Sequence, residues 1–155
     1  MTTVQPTNVT PFPAIAPGHH LAPIALGAPG AKQRIIYGEC PDFCTESHVE
    51  NFVHFLDDVT HNGDAFTISV PSFLIPDAAV FQWTVRVSSD PVATDQQMRA
   101  AHVVLEGDTG IDAYLTPDMA DEVADDLAKL AMKVREVART ARLHNQAEVT
   151  QGVTA

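Results

Sequence analysis

Two cysteines and two histidines constrain this chain more than any other feature of its sequence. They are Cys40, Cys44, His48 and, after twelve intervening residues, His61. Two thiolates and two neutral imidazoles are the ligand set that zinc prefers in closed tetrahedral sites. Their charges cancel that of Zn²⁺, so such a cluster can be buried without the desolvation penalty of an unbalanced ion. The spacing therefore predicts one structural zinc ion held by these four side chains.

Two alternatives to this ligand set remain open at the level of sequence. His54 is a rival fourth ligand, and with Asp57 and His61 it could form an oxygen-rich site on the polar side of a helix. The two thiols, which are the softest ligands in the chain, would then bind no metal, and this argues against the alternative. The other alternative has no metal at all, with two buried thiols and two surface histidines.

Length and charge restrict the domain count and the class of partner. A chain of 155 residues with 45% apolar residues matches one domain with one core. It carries 9 Lys and Arg against 20 Asp and Glu, for a net charge of -11. Such a charge repels phosphate backbones and anionic membranes. We therefore expect a protein partner, with no direct binding to nucleic acid or membrane.

The apolar runs and the N-terminus indicate where the protein acts. No run approaches the roughly 20 apolar residues that cross a bilayer. The N-terminus has no Lys or Arg before Lys32, unlike a signal peptide. These features predict a soluble, cytoplasmic protein.

The two ends of the chain lack the pattern of a folded core. Residues 1–31 hold six of the eleven prolines and no charged residue, which predicts a disordered Pro-rich tail. Phe12, Ile15, Leu21 and Ile24 could still dock on a surface in extended form. Residues 32–144 are expected to form a single zinc-binding domain, and residues 145–155 a flexible C-terminal tail.

Periodicity between these ends predicts an α+β fold. β-type runs at residues 34–37, 66–70, 80–87, 102–106 and 111–115 indicate a small antiparallel sheet of about four to five strands. Apolar residues at helical spacing, with Ser47 and Glu50 matching a capping box, predict a helix over residues 47–59 that carries part of the metal motif. Thr116 and Pro117 begin a long C-terminal helix that is expected to end near residue 143.

The long helix also suggests a partner. At 27 residues it is about 40 Å long, more than a small sheet is expected to cover. Its later turns present Leu130, Val134, Val137 and Ala141 on one apolar stripe. We expect a homodimer through these four residues, with twofold symmetry as the simplest arrangement.

Several of these motifs resemble those of a family of small actinobacterial and actinophage proteins of unknown function. The shared features are Cys40-Pro41-x-Phe43-Cys44, His48, His61-x-Gly63 and, after several strands, Leu115-Thr116-Pro117 with Ala120, Ala124 and Leu127. The resemblance spans roughly residues 36–132. It implies a zinc-knuckle-like motif on a small α+β domain and brings no known activity.

Three classes of function fit these observations. The first is a zinc-stabilised, acidic, non-catalytic interaction or regulatory module, with phage or mobile-element origin as one option for its source, which needs no catalytic residue. The second is a zinc-dependent hydrolase-like enzyme, with an open fourth position on the ion and Glu46 or Asp58 as base. The third is an acidic mimic of nucleic acid that inhibits a host DNA-binding protein. We favour the first.

Overall fold

The described residues form seven strands and two α-helices. The computed structural model describes residues 14–28, 32–108 and 110–152. The strands are β1 (His19–Leu26), β2 (Arg34–Pro41), β3 (His61–Asn62), β4 (Phe66–Ser72), β5 (Ile75–Ser89), β6 (His102–Gly107) and β7 (Ala113–Leu115). The helices are the short α1 (Gln96–Arg99) and the long α2 (Pro117–Gly152). A two-stranded and a five-stranded antiparallel sheet accompany α2, which confirms the α+β fold.

The first strand corrects the prediction of an unstructured N-terminal tail. Residues His19–Leu26 pair with β2 in antiparallel register, with Ile24 opposite Ile36. Ile24 and Ala25 are among the most buried side chains of the described residues, at 2% and 0% exposure. The prediction of a disordered tail over residues 1–31 is therefore wrong for residues 19–26. Residues 1–13 and 29–31 lie outside the described part of the chain.

The segment after Cys44 corrects a second prediction, the helix over residues 47–59. Instead, one hydrogen-bonded turn forms at residues 47–51 and one 3-10 turn at Leu56–Asp58. The His48 carbonyl accepts from the amide of Ala25 at 2.9 Å, and the amide of Val53 donates to the Ala25 carbonyl at 3.1 Å. These backbone groups are thus satisfied by the edge of β1 and not by a helix. The capping signal survives in part, because the Glu50 amide donates to Ser47 Oγ at 3.3 Å.

One face of the five-stranded sheet is apolar and the other is mixed, because the buried Val104 stands opposite Arg86 on the second face. β5 lies between β6 on one side and β3 and β4 on the other, and β7 extends the sheet beyond β6. Val85 stands opposite Phe66 and Leu105, so these apolar side chains share a face. Arg86 is on the other face, where it pairs with Glu106 at 2.5 Å. The strands predicted at 66–70, 80–87, 102–106 and 111–115 thus form one antiparallel sheet as expected, whereas the strand predicted at 34–37 pairs with β1 in the two-stranded sheet.

The long helix begins as predicted and continues further than predicted. The Met119 amide donates to Thr116 Oγ1 at 3.3 Å, so Thr116 caps the first turn. The helix packs mainly against β6 and β7. It ends at Gly152, so the predicted flexible tail over 145–155 is wrong up to that residue, and 153–155 lie outside the described residues. Among the described residues, no helix combines the length and the apolar composition needed to cross a membrane.

Candidate metal centre

Four predicted ligands from four separate segments meet at one point. Cys40 lies near the end of β2, Cys44 in the following turn, His48 in the loop beside β1, and His61 at the start of β3. One ligand atom of each side chain lies within 4.8 Å of the others. Cys40, His48 and His61 are buried, at 2%, 7% and 4% exposure. Cys40, Cys44 and His48 are spaced four residues apart, and the pairing of β3 with β5 brings the more distant His61 to them.

The distances inside this cluster match the edges of a zinc tetrahedron. His48 Nε2 lies 3.5 Å from Sγ of both Cys40 and Cys44, and His61 Nδ1 lies 3.5 Å from Cys40 Sγ. The two imidazole nitrogens are 3.3 Å apart. With Zn–S of about 2.3 Å and Zn–N of about 2.0–2.1 Å, a tetrahedron requires S···N edges of about 3.5 Å and N···N edges of about 3.3 Å. The donor set and its spacing therefore fit one zinc ion.

Backbone hydrogen bonds fix each ligand in place. The amide of Cys44 donates to the Pro41 carbonyl at 3.0 Å, which closes the turn between the two thiols. The amide of Thr45 donates to the Asn62 carbonyl at 2.9 Å, which ties this turn to β3. His61 itself pairs with Ser89 of β5. The cluster thus joins the two-stranded sheet to the five-stranded sheet.

Burial sets the protonation of the cluster when no ion is bound. Desolvation, reinforced by the neighbouring Cys44, raises the pKa of the Cys40 thiol to about 12. Desolvation also lowers the pKa of His61 to about 4, with a further contribution from His48, whose own pKa is lowered by burial. Both imidazoles are therefore neutral at pH 7, the form that binds metal, while a thiolate at Cys40 needs a nearby cation.

Gly63 permits the close packing behind His61, and this gives a first testable prediction. A Cβ at this position would lie 2.6 Å from Val87 Cγ1 and 3.0 Å from the carbonyl oxygen of Phe43. We expect Gly63→Ala to reduce the free energy of unfolding by about 1–3 kcal/mol, because the Val87 side chain must move to admit the methyl group and the Phe43 carbonyl oxygen must shift slightly. Urea denaturation measures the change. The matched control is Asp64→Ala at the exposed neighbouring position, and equal stability of the two variants would contradict the packing argument.

The rival metal ligands lie elsewhere. His54 is exposed, and the one group of metal-binding type within the described ranges contains His61 and not His54. Asp57 is also exposed and outside that group. The mixed site of His54, Asp57 and His61 is therefore not assembled. His61 lies instead in the cluster with the two thiols and His48.

Both candidate bases have structural partners. One oxygen of the Glu46 carboxylate accepts from Asn51 Nδ2 at 2.6 Å, and the other accepts from Asn62 Nδ2 at 3.4 Å. Asp58 Oδ2 accepts from the backbone amide of Phe55 at 3.1 Å. These bonds give both carboxylates a structural role in the loop around the cluster.

One neighbour of the cluster was missed by sequence reasoning, which placed His19 and His20 in a disordered tail. His20 stands opposite Cys40 across β1 and β2, and its Nδ1 lies 3.2 Å from Asp42 Oδ1. The available signal was the short apolar run from Leu21 to Leu26, which is compatible with a strand that buries one face.

Comparison with known families places this geometry in context. The model of the family described as "Domain of unknown function (DUF6907)" matches residues 25–143. This chain belongs to that family. The matched range begins inside β1 and contains all four residues of the cluster, so the DUF6907 domain extends to the N-terminal side of residue 32, where the sequence had predicted order to begin. No match was found among curated proteins or among solved structures.

Proposed function

We propose that this DUF6907 protein is a zinc-stabilised, non-catalytic interaction module in which the ion is a structural crosslink. The observation that carries the proposal is the agreement of four side-chain distances with the edges of a tetrahedron whose corners are all protein atoms. Structural zinc sites use four protein ligands, whereas catalytic sites keep one position for water or substrate. A Cys2His2 site leaves no such position.

The small hydrophobic core explains why a crosslink is useful here. Among the described residues, the buried apolar side chains are few: Ile24, Ala25, Cys40, Val59, Val104 and Leu115. Cys40 itself belongs to this core. A zinc ion at the cluster would join β2, the loop before β3 and β3 itself, and so supply the cohesion between the two sheets that apolar burial supplies in larger domains.

Exposed apolar surface supports the interaction role. The turn between β4 and β5 presents Phe73 and Leu74 at 93% and 77% exposure. Leu130 and Val134 of α2 are also more than half exposed. Large exposed apolar groups of this kind mark surfaces that associate with other proteins. The expectation of an actinobacterial or phage source rests on the sequence resemblance alone, and the genomic neighbourhood of the gene would test it.

Metal analysis of the purified full chain tests this proposal. We expect one zinc per chain, and a cobalt-substituted protein with the absorption spectrum of a tetrahedral S2N2 site. A metal-free protein that stays folded in chelator would overturn the structural-zinc proposal. A coordinated water in place of one protein ligand would instead favour the hydrolase-like alternative.

Acid should release the ion, which gives a further prediction. Zinc binding requires deprotonated thiols, and burial raises the pKa of Cys40 in the metal-free protein to about 12, so a proton competes strongly for that sulfur. The low pKa of His61, about 4, makes the proton a weaker competitor there. Bound zinc is therefore expected at neutral pH and its loss as pH falls, which a zinc-sensitive dye measures. Occupancy unchanged down to pH 4 would contradict thiolate ligation.

A further inference from the structure

The apolar face of the five-stranded sheet is wider than the helix that lies on it. Across this face the strands follow the order β4, β5, β6 and β7, and α2 makes its main contacts with β6 and β7. Strands lie about 4.8 Å apart and a helix is about 10 Å wide, so one helix covers about two strands. The uncovered strip over β4 and β5 has the width of one further helix.

A groove marks this uncovered strip. Its volume is about 310 Å³. Its open side is lined by Phe66 and Ile68 of β4 and by Trp83 and Val85 of β5, and it continues past Ala120, Ala124 and Leu127 of α2 to Val103, Leu105 and Leu115 of β6 and β7. Phe66 and Ile68 remain 67% and 44% exposed. Because the alanine side chains are small, a second helix could approach α2 closely on this side.

The second half of α2 has an apolar stripe that stays largely exposed among the residues that the structure describes. Leu130, Val134 and Val137 are 51%, 58% and 55% exposed. They continue the stripe of Val123 and Leu127, so both halves of the helix present apolar residues in the same direction. The stretch from 127 to 143 is roughly 25 Å long at 1.5 Å per residue. The seven residues of β4 span a similar length, about 23 Å.

Charge along α2 is divided between the same two halves. Residues 118–126 contain five acidic and no basic residues, and residues 127–143 contain five basic residues and one acidic. Five of the nine Lys and Arg of the whole chain lie in that second stretch. Two copies of α2 side by side repel when parallel and attract when antiparallel. The helix is thus electrostatically complementary to an inverted copy of itself.

We propose that the groove over β4 and β5 is the docking site for the second half of α2 from a second copy of this chain, in an antiparallel twofold dimer. This rests on the proposed interaction role and names the partner. With a twofold axis perpendicular to the sheet, the apolar stripes of both helices face the apolar surfaces of the two sheets. The first half of each helix then lies on its own sheet and the second half on the partner's. One symmetric contact thus fills both grooves and covers both exposed apolar stripes.

The charged residues on the groove side of α2 define the register. At about 100° per residue, Asp121, Asp125, Arg135 and Arg139 fall within about 80° of one another, next to the alanine flank. Asp121 and Asp125 are four residues apart, as are Arg135 and Arg139. Antiparallel helices therefore pair Asp121 with the partner's Arg139 and Asp125 with the partner's Arg135.

Charge reversal tests the antiparallel arrangement. Sedimentation velocity of the zinc-loaded full chain is expected to show a dimer. The doubly substituted variants Asp121→Lys with Asp125→Lys, and Arg135→Glu with Arg139→Glu, each convert four attractive pairs into repulsive ones. Each is expected to raise the dissociation constant about 30- to 100-fold. Mixed together, the two variants should form a heterodimer, because every pair is again attractive. The matched control, Glu122→Lys with Asp126→Lys on the far flank, should leave the dimer intact.

Substitution in the groove tests the docking site itself. Ile68→Asp and Val134→Asp are each expected to give monomers, since each places a charge in the apolar contact. Thr67→Asp, the neighbouring exposed position on the opposite face of β4, is the control and should stay dimeric. A dimer lost in Val134→Asp but kept in Ile68→Asp would mean that the helices pair without the groove, which overturns the proposal.

Two further outcomes also overturn the proposal. One is a wild-type chain that is monomeric at high concentration. The other is an Ile68→Asp variant that is monomeric and less thermally stable than a monomeric wild type, because the groove would then be filled by the chain's own residues. Zinc content and circular dichroism of every variant are measured in parallel. The dimer can thus fail while the zinc module stands, and a loss of zinc in the wild type would be seen independently of its oligomeric state.

Discussion

Replacing Cys44 with serine or His48 with alanine is expected to abolish zinc binding and to unfold the domain. Structural zinc contributes apparent binding free energies of about 10–16 kcal/mol, whereas whole domains are stable by only about 5–15 kcal/mol. The core of the described residues is small, and Cys40 is part of it. Losing the ion therefore removes a contribution as large as the net stability. Zinc content by mass spectrometry and far-UV circular dichroism provide the measurements.

His61→Ala and His54→Ala distinguish the fourth ligand in the same experiment. His61 Nδ1 lies 3.5 Å from Cys40 Sγ and 3.3 Å from His48 Nε2, whereas His54 is exposed and outside the cluster. We expect His61→Ala to behave like the Cys44 variant and His54→Ala to behave like the wild type. Zinc loss in His54→Ala with retention in His61→Ala would reverse the assignment.

Deletion of residues 1–26 is expected to remove most of the cooperative folding transition. The deletion eliminates β1 with Ile24 and Ala25, and it leaves the backbone amide of Val53 and the carbonyl of His48 without their partners. Each unpaired buried backbone group costs about 1–3 kcal/mol in addition to the lost apolar burial. Because β1 holds the loop that carries His48, zinc affinity should fall as well. Thermal denaturation and zinc titration of the truncated chain give the result.

Single substitutions provide a graded version of this test. Ile24→Ala removes a side chain that is 2% exposed and is expected to lower the free energy of unfolding by about 2–5 kcal/mol. Ile35→Ala on the facing strand removes the same atoms at 48% exposure and should have a much smaller effect. If the truncated chain melted like the full chain, β1 would contribute nothing and the sequence-based tail would be the better description.

Local chemistry made several elements predictable. The β5 run alternates apolar and polar side chains, and the strand forms with Val85 and Arg86 on opposite faces. Thr116 followed by Pro117 signals a helix start, and Thr116 caps α2. The four metal-ligand residues were recognisable because few other roles suit two thiols and two imidazoles in one short stretch. Each of these signals depends on residues close in sequence, or on donor chemistry that is independent of the fold.

The failed predictions share a different cause. Residues 47–59 have helical periodicity, but β1 offers a free strand edge that bonds the backbone at His48 and Val53. Residues 19–26 lie in a Pro-rich stretch and contain Pro23, yet they form a strand because they pair with β2 and with the loop at His48 and Val53. Neither outcome can be derived from one segment alone, because the strand and the loop each satisfy the other's backbone groups. Propensity is a weak prior where such tertiary bonds compete with it.

The sequence by itself determined which side chains could bind a metal, that strands precede one long helix, and that charge is divided along that helix. Only the tertiary structure decided that His61 and not His54 joins the thiols, since this depends on β3 pairing with the end of β5. It also decided that β4 and β5 keep an uncovered apolar face, because a single helix is narrower than the four strands that lie side by side. Sequence patterns indicate which side chains each segment can bury, whereas the fold determines which apolar surfaces are buried against another element.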